Sequence, residues 1–335
     1  MATGASGDGK PSLLSTLPKQ LPADFLKEIT NGFHADRKLG QGAFGTVYMV
    51  KLTGVSARWA THCVKKLSDN SPVATEKQFK NEVGNLMAIQ HENIVRLYGY
   101  CHEAQKKVIE HNGRYILVDV VESMLCYEYA PKGNLDKCIF DMSSRPPWAT
   151  CFKIIKGICQ GLYFLHKGTD RPIVHLDLQP ANILLDDNMV PKIADFGLSR
   201  LFGEEQTRIN TINVVGAKGY MAPEYLYRGE ISTRSDIYSL GVLIMEITTG
   251  QKNSSHDKDM SGRDFVDQAR ATYILLVRQT WTDEHIASKY SSLDADSLQQ
   301  VKTCIETGLK CVDIDQKKRP SIVEIVDKLD GRHAH

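Results

Sequence analysis

The chain has 335 residues, of which 42% are hydrophobic and 24% are charged, and its formal net charge at pH 7 is +1. This composition is typical of globular proteins, and the length allows two domains, each with its own hydrophobic core. The near-neutral charge argues against a general attraction to nucleic acid or to an anionic membrane surface, so we expect no nucleic-acid partner. No apolar run reaches about 18 residues, so we expect no membrane-spanning segment.

The cysteines and the N-terminus indicate an intracellular protein. No two cysteines have the C-x-x-C spacing of a zinc site, and a chain of this size does not need disulfide bonds, so we expect reduced and mostly buried thiols. The N-terminus has no apolar signal core, and Ala2 stands where myristoylation requires glycine. The eight cysteines are Cys63, Cys101, Cys126, Cys138, Cys151, Cys159, Cys304 and Cys311.

The first 130 residues are predicted to be rich in strands. Residues 1–20 contain many Gly, Ser, Pro and Lys residues and are predicted to be disordered. A short amphipathic helix is predicted at 23–33, because Phe25, Leu26, Ile29 and Phe33 share one helical face. Further along the chain, the patterns predict strands at 47–50, 62–64, 95–101 and 115–129, and a helix at 76–89.

After residue 134 the apolar spacing becomes helical. It predicts helices at 148–166, 235–249, 297–312 and 322–329, with a surface loop at 251–263. Segregated strand-rich and helix-rich parts predict an α+β, bilobal fold with a hinge near 128–134: an antiparallel sheet with one main helix, followed by a mostly helical lobe. The predicted domains are an extension (1–33), an N-terminal lobe (34–130), a C-terminal lobe (131–330) and a tail (331–335).

Residues Gly40 to Val47 form the pattern G-x-G-x-x-G-x-V. Glycines allow a turn to approach phosphates closely and to offer backbone N–H donors. A dinucleotide-binding fold uses similar glycines but continues directly into a helix, whereas β-branched and aromatic residues follow here. The pattern therefore favours a strand–turn–strand over phosphates, and a glycine-rich hairpin without a ligand remains the alternative.

Lys65 ends the strand that follows, and Glu82 lies on the apolar side of the predicted helix 76–89. A carboxylate beside apolar residues requires a cation as partner, so Lys65 and Glu82 are predicted to pair. Lys66 is the competing partner, but strand alternation directs it to the opposite face.

Residues 175–182 read His-Leu-Asp-Leu-Gln-Pro-Ala-Asn, Asp195-Phe196-Gly197 follows, and 222–224 reads Ala-Pro-Glu. In this order and spacing the motifs resemble those of eukaryotic protein kinases over residues 34–330. The phrases at 91–97 and 219–225 resemble plant receptor-like kinases of the Pelle type. The insertion at 108–121 is similar to a subset from grasses. Because no ectodomain accompanies the sequence, a receptor-like cytoplasmic kinase is the expected member.

The resemblance implies a role for each site residue. Asp177 would accept the proton of the substrate hydroxyl, Lys65 held by Glu82 would position the phosphates, and Asn182 with Asp195 would hold Mg²⁺, or Mn²⁺ in its place. Tyr127 matches the gatekeeper position, Glu224 is expected to pair with Arg319, and Asp236 is expected to anchor the catalytic loop. The alternative for Glu224 is a surface ion pair of little value. The implied ATP contacts are Leu39, Gly40, Gly42, Gly45, Val47, Cys63, Lys65, Glu128, Ala130 and Leu184.

Three residues depart from the family pattern. Leu176 replaces an arginine that grips activation-loop phosphates, which makes this a non-RD kinase and predicts that phosphorylation at Ser199, Thr207 or Thr211 has less effect on catalysis than in kinases that retain the arginine. Gln179 replaces a lysine that neutralises the transferring phosphoryl group, and Ala217 replaces a threonine that bridges this lysine and the catalytic aspartate. Lys218 is a candidate to supply the missing charge. Loss of one preorganised electrostatic donor typically costs about 10²–10³ in rate.

The sequence therefore predicts an ATP-dependent Ser/Thr protein kinase of reduced activity that acts in plant signalling and defence. The alternative is an ATP-binding pseudokinase that acts as a signalling scaffold. The implied partners are protein substrates and signalling proteins. The expected location is cytoplasmic, with peripheral attachment to the plasma membrane through partners as a further option. The oligomeric state, the protein substrate and the upstream activator are left open.

Overall fold

The computed structural model describes residues 17–42, 44–50, 62–68, 72–141, 143–203, 206–253 and 263–332. Ala43 of the glycine motif and most of the predicted disordered N-terminus lie outside these residues. The chain divides into two compact units. The first comprises Met1–Phe79, Leu86–Ile89 and Arg96–Tyr129, and the second comprises Lys80–Asn85, Gln90–Val95 and Ala130–His335. The sequence boundaries of the lobes remain a prediction.

The first unit is a six-stranded sheet with a helix from the N-terminal extension packed on it. The strand order is β1-β5-β6-β4-β3-β2, and every neighbouring pair is antiparallel except β1 with β5. This arrangement, with the helical second unit, confirms the predicted α+β kinase-like fold class. The elements are β1 (Lys19–Gln20), α1 (Ala23–Ile29), β2 (Lys38–Gly42), β3 (Gly45–Met49), β4 (His62–Leu67), α2 (Pro72–Leu86), β5 (Leu97–His111) and β6 (Arg114–Glu128), and residues 80–85 of α2 belong to the second unit.

The short strand β1 corrects the prediction of disorder up to residue 20. Lys19 and Gln20 pair with Gly99 and Tyr100 of β5. Gly99 permits this approach, because a Cβ on it would lie 2.4 Å from Cδ1 of Leu21. The extension is therefore added to the sheet by backbone hydrogen bonds that composition alone could not indicate.

Helix α1 ends at Ile29 rather than at the predicted Phe33. Asn31, Gly32 and Phe33 all have positive φ angles (54°, 64° and 59°), which ends the helix in a left-handed turn. Ala23, Leu26 and Ile29 of α1 are buried in the core, and Phe25 is partly buried against it. Phe33 also packs against this core and contacts the Tyr48 ring at 5.2 Å between centroids, but from the turn after the helix rather than from a helical face.

The β5–β6 hairpin is much longer than the strands predicted at 95–101 and 115–129. Its strands pair from Leu97 with Tyr127 to His111 with Arg114. Asn112 and Gly113 close it with φ angles of 52° and 72°, the left-handed conformations that a two-residue hairpin turn requires. Helix α2 ends at Leu86, three residues before the predicted end.

The second unit is mostly helical, and its predicted helices are confirmed with small shifts of their ends. Among the described residues, four helices were missed: α3, α5, α7 and α8 below. α7 begins at the last residue of the predicted 251–263 loop, most of which lies outside the described residues. The helices are α3 (Asp136–Ile139), α4 (Trp148–Tyr163), α5 (Pro223–Arg228), α6 (Thr233–Thr249), α7 (Arg263–Thr280), α8 (Asp283–Lys289), α9 (Ala295–Cys311) and α10 (Ile322–Leu329).

Short strands connect these helices. They form three small sheets, ordered β10-β9-β7, β11-β8 and β12-β13. They are β7 (Gly133–Asn134), β8 (Ile173–Val174), β9 (Ile183–Leu185), β10 (Pro191–Ile193), β11 (Arg200–Leu201), β12 (Ile209–Asn210) and β13 (Glu230–Ile231).

Helix α6 is the centre of the second unit. Every residue from Ser235 to Thr249 is buried, and Ser232 caps the helix start together with Ser235. Gly241 allows α9 to approach closely, since a Cβ there would lie 2.5 Å from the Cβ of Cys311. A helix buried on all sides must satisfy each of its polar side chains internally.

Two expectations from composition can be compared with the fold. All eight cysteines are free thiols, and all except the half-buried Cys138 are buried. Within the described ranges, no helix combines the length and the apolar character that a membrane crossing demands.

Glu246 on α6 generates a prediction about pH. Burial raises its pKa to about 7, although it accepts hydrogen bonds from the Tyr220 hydroxyl and from the Asn253 N–H, each at 2.8 Å. Between pH 4.5 and 7 the folded state binds more protons than the unfolded state, so the free energy of unfolding falls as pH rises. Glu246→Gln removes this titration.

We expect the unfolding free energy of Glu246→Gln, relative to wild type, to increase by about 3 kcal/mol between pH 5 and pH 8. Urea denaturation at both pH values measures this difference. Glu28→Gln, on the exposed side of α1, serves as the control and should show little change. A pH-independent difference for Glu246→Gln would contradict the assignment.

Candidate active site

The loop that carries Asp177 is fixed by Asp236, near the start of α6. The carboxylate of Asp236 accepts hydrogen bonds from the backbone N–H groups of His175 and Leu176, both at 2.8 Å. Nε2 of His166 lies 2.9 Å from the same carboxylate, which is fully buried. The anchoring contact expected for Asp236 is therefore present, and His166 is a third partner that sequence reasoning missed.

The anchored loop has a strained backbone. Leu176 has a φ of 68°, a left-handed conformation that costs a non-glycine residue about 1–3 kcal/mol. The peptide units on both sides of Leu176 are held, since Asp236 accepts from the Leu176 N–H and Nδ1 of His175 accepts from the Asp177 N–H at 3.2 Å, and this stabilises the conformation. This conformation of Leu176 sets the direction in which the backbone continues into Asp177, the next residue.

Asp177 accepts hydrogen bonds on both of its carboxylate oxygens. Gln179 Nε2 donates to Oδ1 at 3.0 Å, and the backbone N–H of Ala217 donates to the same oxygen at 3.2 Å. Asn182 Nδ2 donates to Oδ2 at 2.7 Å and to the backbone oxygen of Asp177 at 2.8 Å. The structure thus brings together Asp177, Gln179, Asn182 and Ala217, and the two family departures do meet at one atom. The backbone of Ala217 provides a donor although its side chain has none.

The surroundings of Asp177 include a second carboxylate. Burial and the negative charge of Asp195 raise the pKa of Asp177, while His175 and the hydrogen bonds from Asn182 and Ala217 oppose the shift. Two carboxylates at close quarters create a negative potential in which a cation is favourable.

The Asp195-Phe196-Gly197 segment packs on the same loop. Phe196 is buried and contacts the His175 ring edge-on at 4.8 Å, and the N–H of Ala194 donates to the Asn182 carbonyl at 2.9 Å. Asp195 has φ 66° and ψ 76°, a second strained position beside the loop. These contacts place Asn182 and Asp195 in one packed cluster.

Residues near the end of α2 hold the segment that follows Phe196, and both parts belong to the second unit. Asn81 Nδ2 donates to the Gly197 carbonyl at 2.9 Å, and Asn85 Nδ2 donates to Oγ of Ser199 at 2.7 Å. Ser199 is fully buried and also donates to the Phe196 carbonyl. This burial makes Ser199 an unsuitable phosphorylation site, whereas Thr207 is exposed.

Glu224 and Arg319 form the predicted pair, and it is not a surface contact. Two parallel bonds of 2.7 and 2.8 Å join the guanidinium to the carboxylate, with Arg319 1% and Glu224 4% exposed. Arg319 also donates to the carbonyl oxygens of Asp313 and Arg234 and lies over the Tyr238 ring. A buried pair with its remaining donors satisfied fixes the Ala-Pro-Glu segment at the start of α5.

The remaining predicted site residues in the first unit lie on adjacent strands. Gly42 pairs with Gly45 across the β2–β3 turn, and Val47 pairs with Lys65. The glycine motif is therefore a strand–turn–strand, not the strand–helix of a dinucleotide-binding fold. Lys65 is buried, while Lys66 lies over the Phe33 ring, so the two lysines face opposite ways.

The strand β6 provides the predicted hinge residues. Tyr127 is buried and pairs with Cys63, and Oε1 of Glu128 accepts a hydrogen bond from the N–H of Arg96 at 2.7 Å. Leu39 and Gly40 lie on β2 in this unit. Glu82, Ala130 and Leu184 belong to the second unit, where Glu82 is fully buried. The Lys65–Glu82 pair and the complete set of ATP contacts remain predictions.

The chain matches the model of the protein kinase domain over residues 33–329. It also resembles three cysteine-rich receptor-like protein kinases of Arabidopsis thaliana. It is 37% identical to number 25 over 317 residues, which cover 94% of this chain and 43% of the relative. It is 38% identical to number 19 and 39% identical to number 5, covering 94% of this chain and 45% and 44% of those relatives.

The chain therefore belongs to the protein kinase family, and its resemblance to plant receptor-like kinases is confirmed. It spans less than half the length of the curated relatives that it matches. The family uses ATP and a divalent metal and acts on protein substrates.

We expect Asp236→Asn to destabilise the anchored loop. One amide nitrogen would face a backbone N–H of His175 or Leu176, which leaves a buried donor without an acceptor and costs about 2–3 kcal/mol. Thermal unfolding and hydrogen exchange of residues 175–177 measure the effect. Asp187→Asn, in an exposed turn, is the matched control. Unchanged protection in Asp236→Asn would show that the loop does not depend on this carboxylate.

Proposed function

We propose that this chain transfers the γ-phosphate of Mg·ATP to Ser or Thr hydroxyls of protein substrates. The observation that carries the proposal is the bonding of Asp177 in a chain of the protein kinase family. Its carboxylate is held by Gln179, Asn182 and the Ala217 N–H next to the Asp195 segment. A held carboxylate can orient a hydroxyl and accept its proton, which is the one acid–base step that phosphoryl transfer requires.

The bonding of Asp177 favours one of its oxygens for this step. Gln179 and Ala217 together engage both lone pairs of Oδ1, whereas among the described residues Asn182 is the one side-chain donor to Oδ2. Oδ2 therefore retains a lone pair for the substrate hydroxyl. Asp177 takes the proton there while Gln179 and Ala217 keep the carboxylate in place.

Asn182 and Asp195 fit a divalent metal. Both acceptors that face the Asn182 amide are Asp177 oxygens, so the NH₂ must face them and Oδ1 points away from Asp177. An amide oxygen and a carboxylate are the hard ligands that Mg²⁺ prefers, with phosphate oxygens and water completing the set. When bound, Mg·ATP would supply the phosphoryl group and neutralise its charge. Mn²⁺ could replace Mg²⁺ at such ligands.

Lys65 and the glycine motif would bind the phosphates. Lys65 is buried on β4 and pairs with Val47 on β3. The turn between Gly42 and Gly45 lies just before Val47 in the chain. In the family pattern the remaining ATP contacts come from Leu39, Cys63, Glu128, Ala130 and Leu184, with Glu82 as the partner of Lys65.

Gln179 supports a slow enzyme rather than an inactive one. It carries no charge, but it keeps the contact with Asp177 that a donor at this position needs. The similar plant proteins are named as protein kinases, which favours the enzyme over the ATP-binding pseudokinase scaffold. Signalling proteins as substrates and a role in defence follow from the resemblance of the non-RD loop. The cellular location stays a prediction from the sequence.

Two variants test the proposed enzyme. Lys65→Met and Asp177→Asn should each lower the transfer of labelled phosphate from ATP to a generic protein substrate by about 10²-fold or more, because each removes a group that acts on the reacting atoms. Thermal unfolding with and without Mg·ATP is measured in parallel. Lys66→Met is the matched control and should retain activity.

The same measurements identify the pseudokinase. In that case Mg·ATP would stabilise the wild-type chain against thermal unfolding. Neither the wild type nor any variant would transfer phosphate above background. Full activity of Lys65→Met would instead disprove the role assigned to Lys65.

Gln179→Lys should raise kcat by about 10- to 100-fold, because an ammonium at this position places a positive charge beside the negative charge of the transferring phosphoryl group. Ala217→Thr adds a hydroxyl at the same Asp177 oxygen, so the double variant should differ from the product of the single effects. Gln179→Met, which has a similar size but no donor, should lower kcat. Equal rates of the Lys, Met and wild-type proteins would show that residue 179 has no part in catalysis.

A further inference from the structure

Residues 215–221, here named the strap, lie against the catalytic loop at Asp177. A Cβ on Gly216 would lie 3.3 Å from the backbone oxygen of Leu176 and 3.6 Å from Oδ1 of Asp177. The N–H of Ala217 donates to the same Oδ1 at 3.2 Å. The strap and the catalytic loop belong to the second unit. The backbone at 216 and 217 therefore contacts the residue that would accept the substrate proton.

The strap is held in place on both sides of Lys218. Before Lys218, the Tyr225 hydroxyl donates to the Val215 carbonyl at 2.9 Å and accepts from the Val215 N–H at 3.2 Å. After Lys218, Nδ2 of Asn253 donates to the Gly219 carbonyl at 2.9 Å. These contacts fix the backbone from which the Lys218 side chain starts.

Tyr220 adds a further anchor and closes a turn. Its hydroxyl donates to the buried Glu246 carboxylate on α6 at 2.8 Å. Its N–H donates to the Ala217 carbonyl at 2.9 Å, which is the bond of a β-turn with Lys218 and Gly219 as its central residues. The turn thus begins at the contact with the catalytic aspartate and ends at the central helix.

Lys218 is the residue of this turn that is exposed to solvent. Gly219 and Tyr220 are buried, and Ala217 is half-buried. Within the described ranges, the Lys218 ammonium has neither a hydrogen bond nor an ion pair. The turn therefore presents a solvated positive charge from a backbone that is fixed on both sides.

The carboxylates that support the strap are engaged inside the protein. Glu224 shares two hydrogen bonds with the buried Arg319, and Glu246 is fully buried. Gln179, which donates to Asp177 from the catalytic loop, is neutral. These neighbours leave the charge of Lys218 for a group outside the chain.

Lys218 is close enough to contact the residue next to the substrate hydroxyl. Consecutive Cα atoms are about 3.8 Å apart, so Lys218 begins one step from the backbone that contacts Asp177. An extended peptide advances about 3.3 Å per residue, so the residues flanking the phosphorylated Ser or Thr lie a similar step away from it. The flexible four-carbon stem of lysine spans the remaining gap.

We propose that Lys218 selects protein substrates that carry Asp or Glu directly beside the phosphorylated Ser or Thr. This inference rests on the proposed kinase function, and it assigns Lys218 to the substrate rather than to the charge missing at Gln179. An ammonium on a fixed backbone attracts a carboxylate and repels a basic residue, so it discriminates in both directions.

Peptides with a single Ser test the selection. One set carries Asp, Ala or Lys directly before the Ser, and a second set carries them directly after it. Wild type should show a kcat/KM about tenfold higher for the Asp peptide than for the Lys peptide in one set, because attraction replaces repulsion at an exposed site. A peptide with the Asp six positions away keeps the net charge and should behave like the Ala peptide. The preference should weaken in high salt.

Variants of Lys218 connect the preference to this side chain. Lys218→Arg should keep it, Lys218→Met should remove it, and Lys218→Glu should reverse it in favour of the Lys peptide. Lys153→Glu makes the same charge reversal at an exposed position of α4 and should leave the preference unchanged. Thermal unfolding confirms that each variant is folded.

Peptide binding separates this inference from the kinase function. Fluorescence anisotropy of labelled peptides in which Ala replaces the Ser measures the same charge preference without phosphate transfer. Binding that prefers Asp and depends on Lys218, in a chain whose transfer does not exceed that of Lys65→Met, would disprove the kinase function and retain the role of Lys218. Transfer to all peptides at equal rates would disprove the role of Lys218 alone.

Two further results would overturn the proposal. The first is a preference for the Asp peptide that persists in Lys218→Glu. The second is a Lys218→Met variant whose kcat falls equally for every peptide, with no such fall when Gln179→Lys is also present. That second result would show that Lys218 acts on the transferring phosphoryl group instead of the substrate.

Discussion

The hydrogen bonds from Asp236 to the backbone of His175 and Leu176 are the interaction on which the catalytic side of this protein depends. Helix α6 is buried along its length, and Asp236 near its start has no access to water. The carboxylate must be satisfied by protein donors, and the two loop N–H groups and His166 meet that need. Because the buried carboxylate needs these hydrogen bonds, the loop that donates them is held in a fixed position.

The strained backbone follows from that anchor. Leu176 has a left-handed conformation that its side chain disfavours, and it persists because the N–H groups of residues 176 and 177 are bound by Asp236 and by Nδ1 of His175. Asp177 then meets Asn182 within the loop and Ala217 from the activation segment. The Glu224–Arg319 pair fixes that segment a few residues later. The two buried carboxylates, Asp236 and Glu224, thus hold the two backbone segments that meet at Asp177.

Substitution in the catalytic loop has been tolerated because part of the bonding is carried by the backbone. A threonine hydroxyl is absent at position 217, but the N–H of Ala217 reaches the same oxygen that Gln179 contacts. A backbone donor does not depend on the side chain, so the geometry of Asp177 survives both departures from the family pattern. What the departures remove is a positive charge at position 179 and a hydroxyl at position 217, and loss of the charge affects the rate of transfer more than the position of the carboxylate.

The sequence by itself determined the motifs, their order and the segregation of strands from helices. Gly40 to Val47 indicated a strand–turn–strand because β-branched residues follow the glycines, and the Glu224–Arg319 pair could be named from its motifs. The sequence could not reveal that this pair is buried, that His166 joins Asp236, or that Phe33 leaves the helical pattern at a left-handed turn. It also did not reveal the full length of the β5–β6 hairpin. These features are contacts between residues far apart in the chain, or backbone conformations held by such contacts. Only the tertiary structure decided them, because local preference is weak compared with the burial of a charge or of an apolar face.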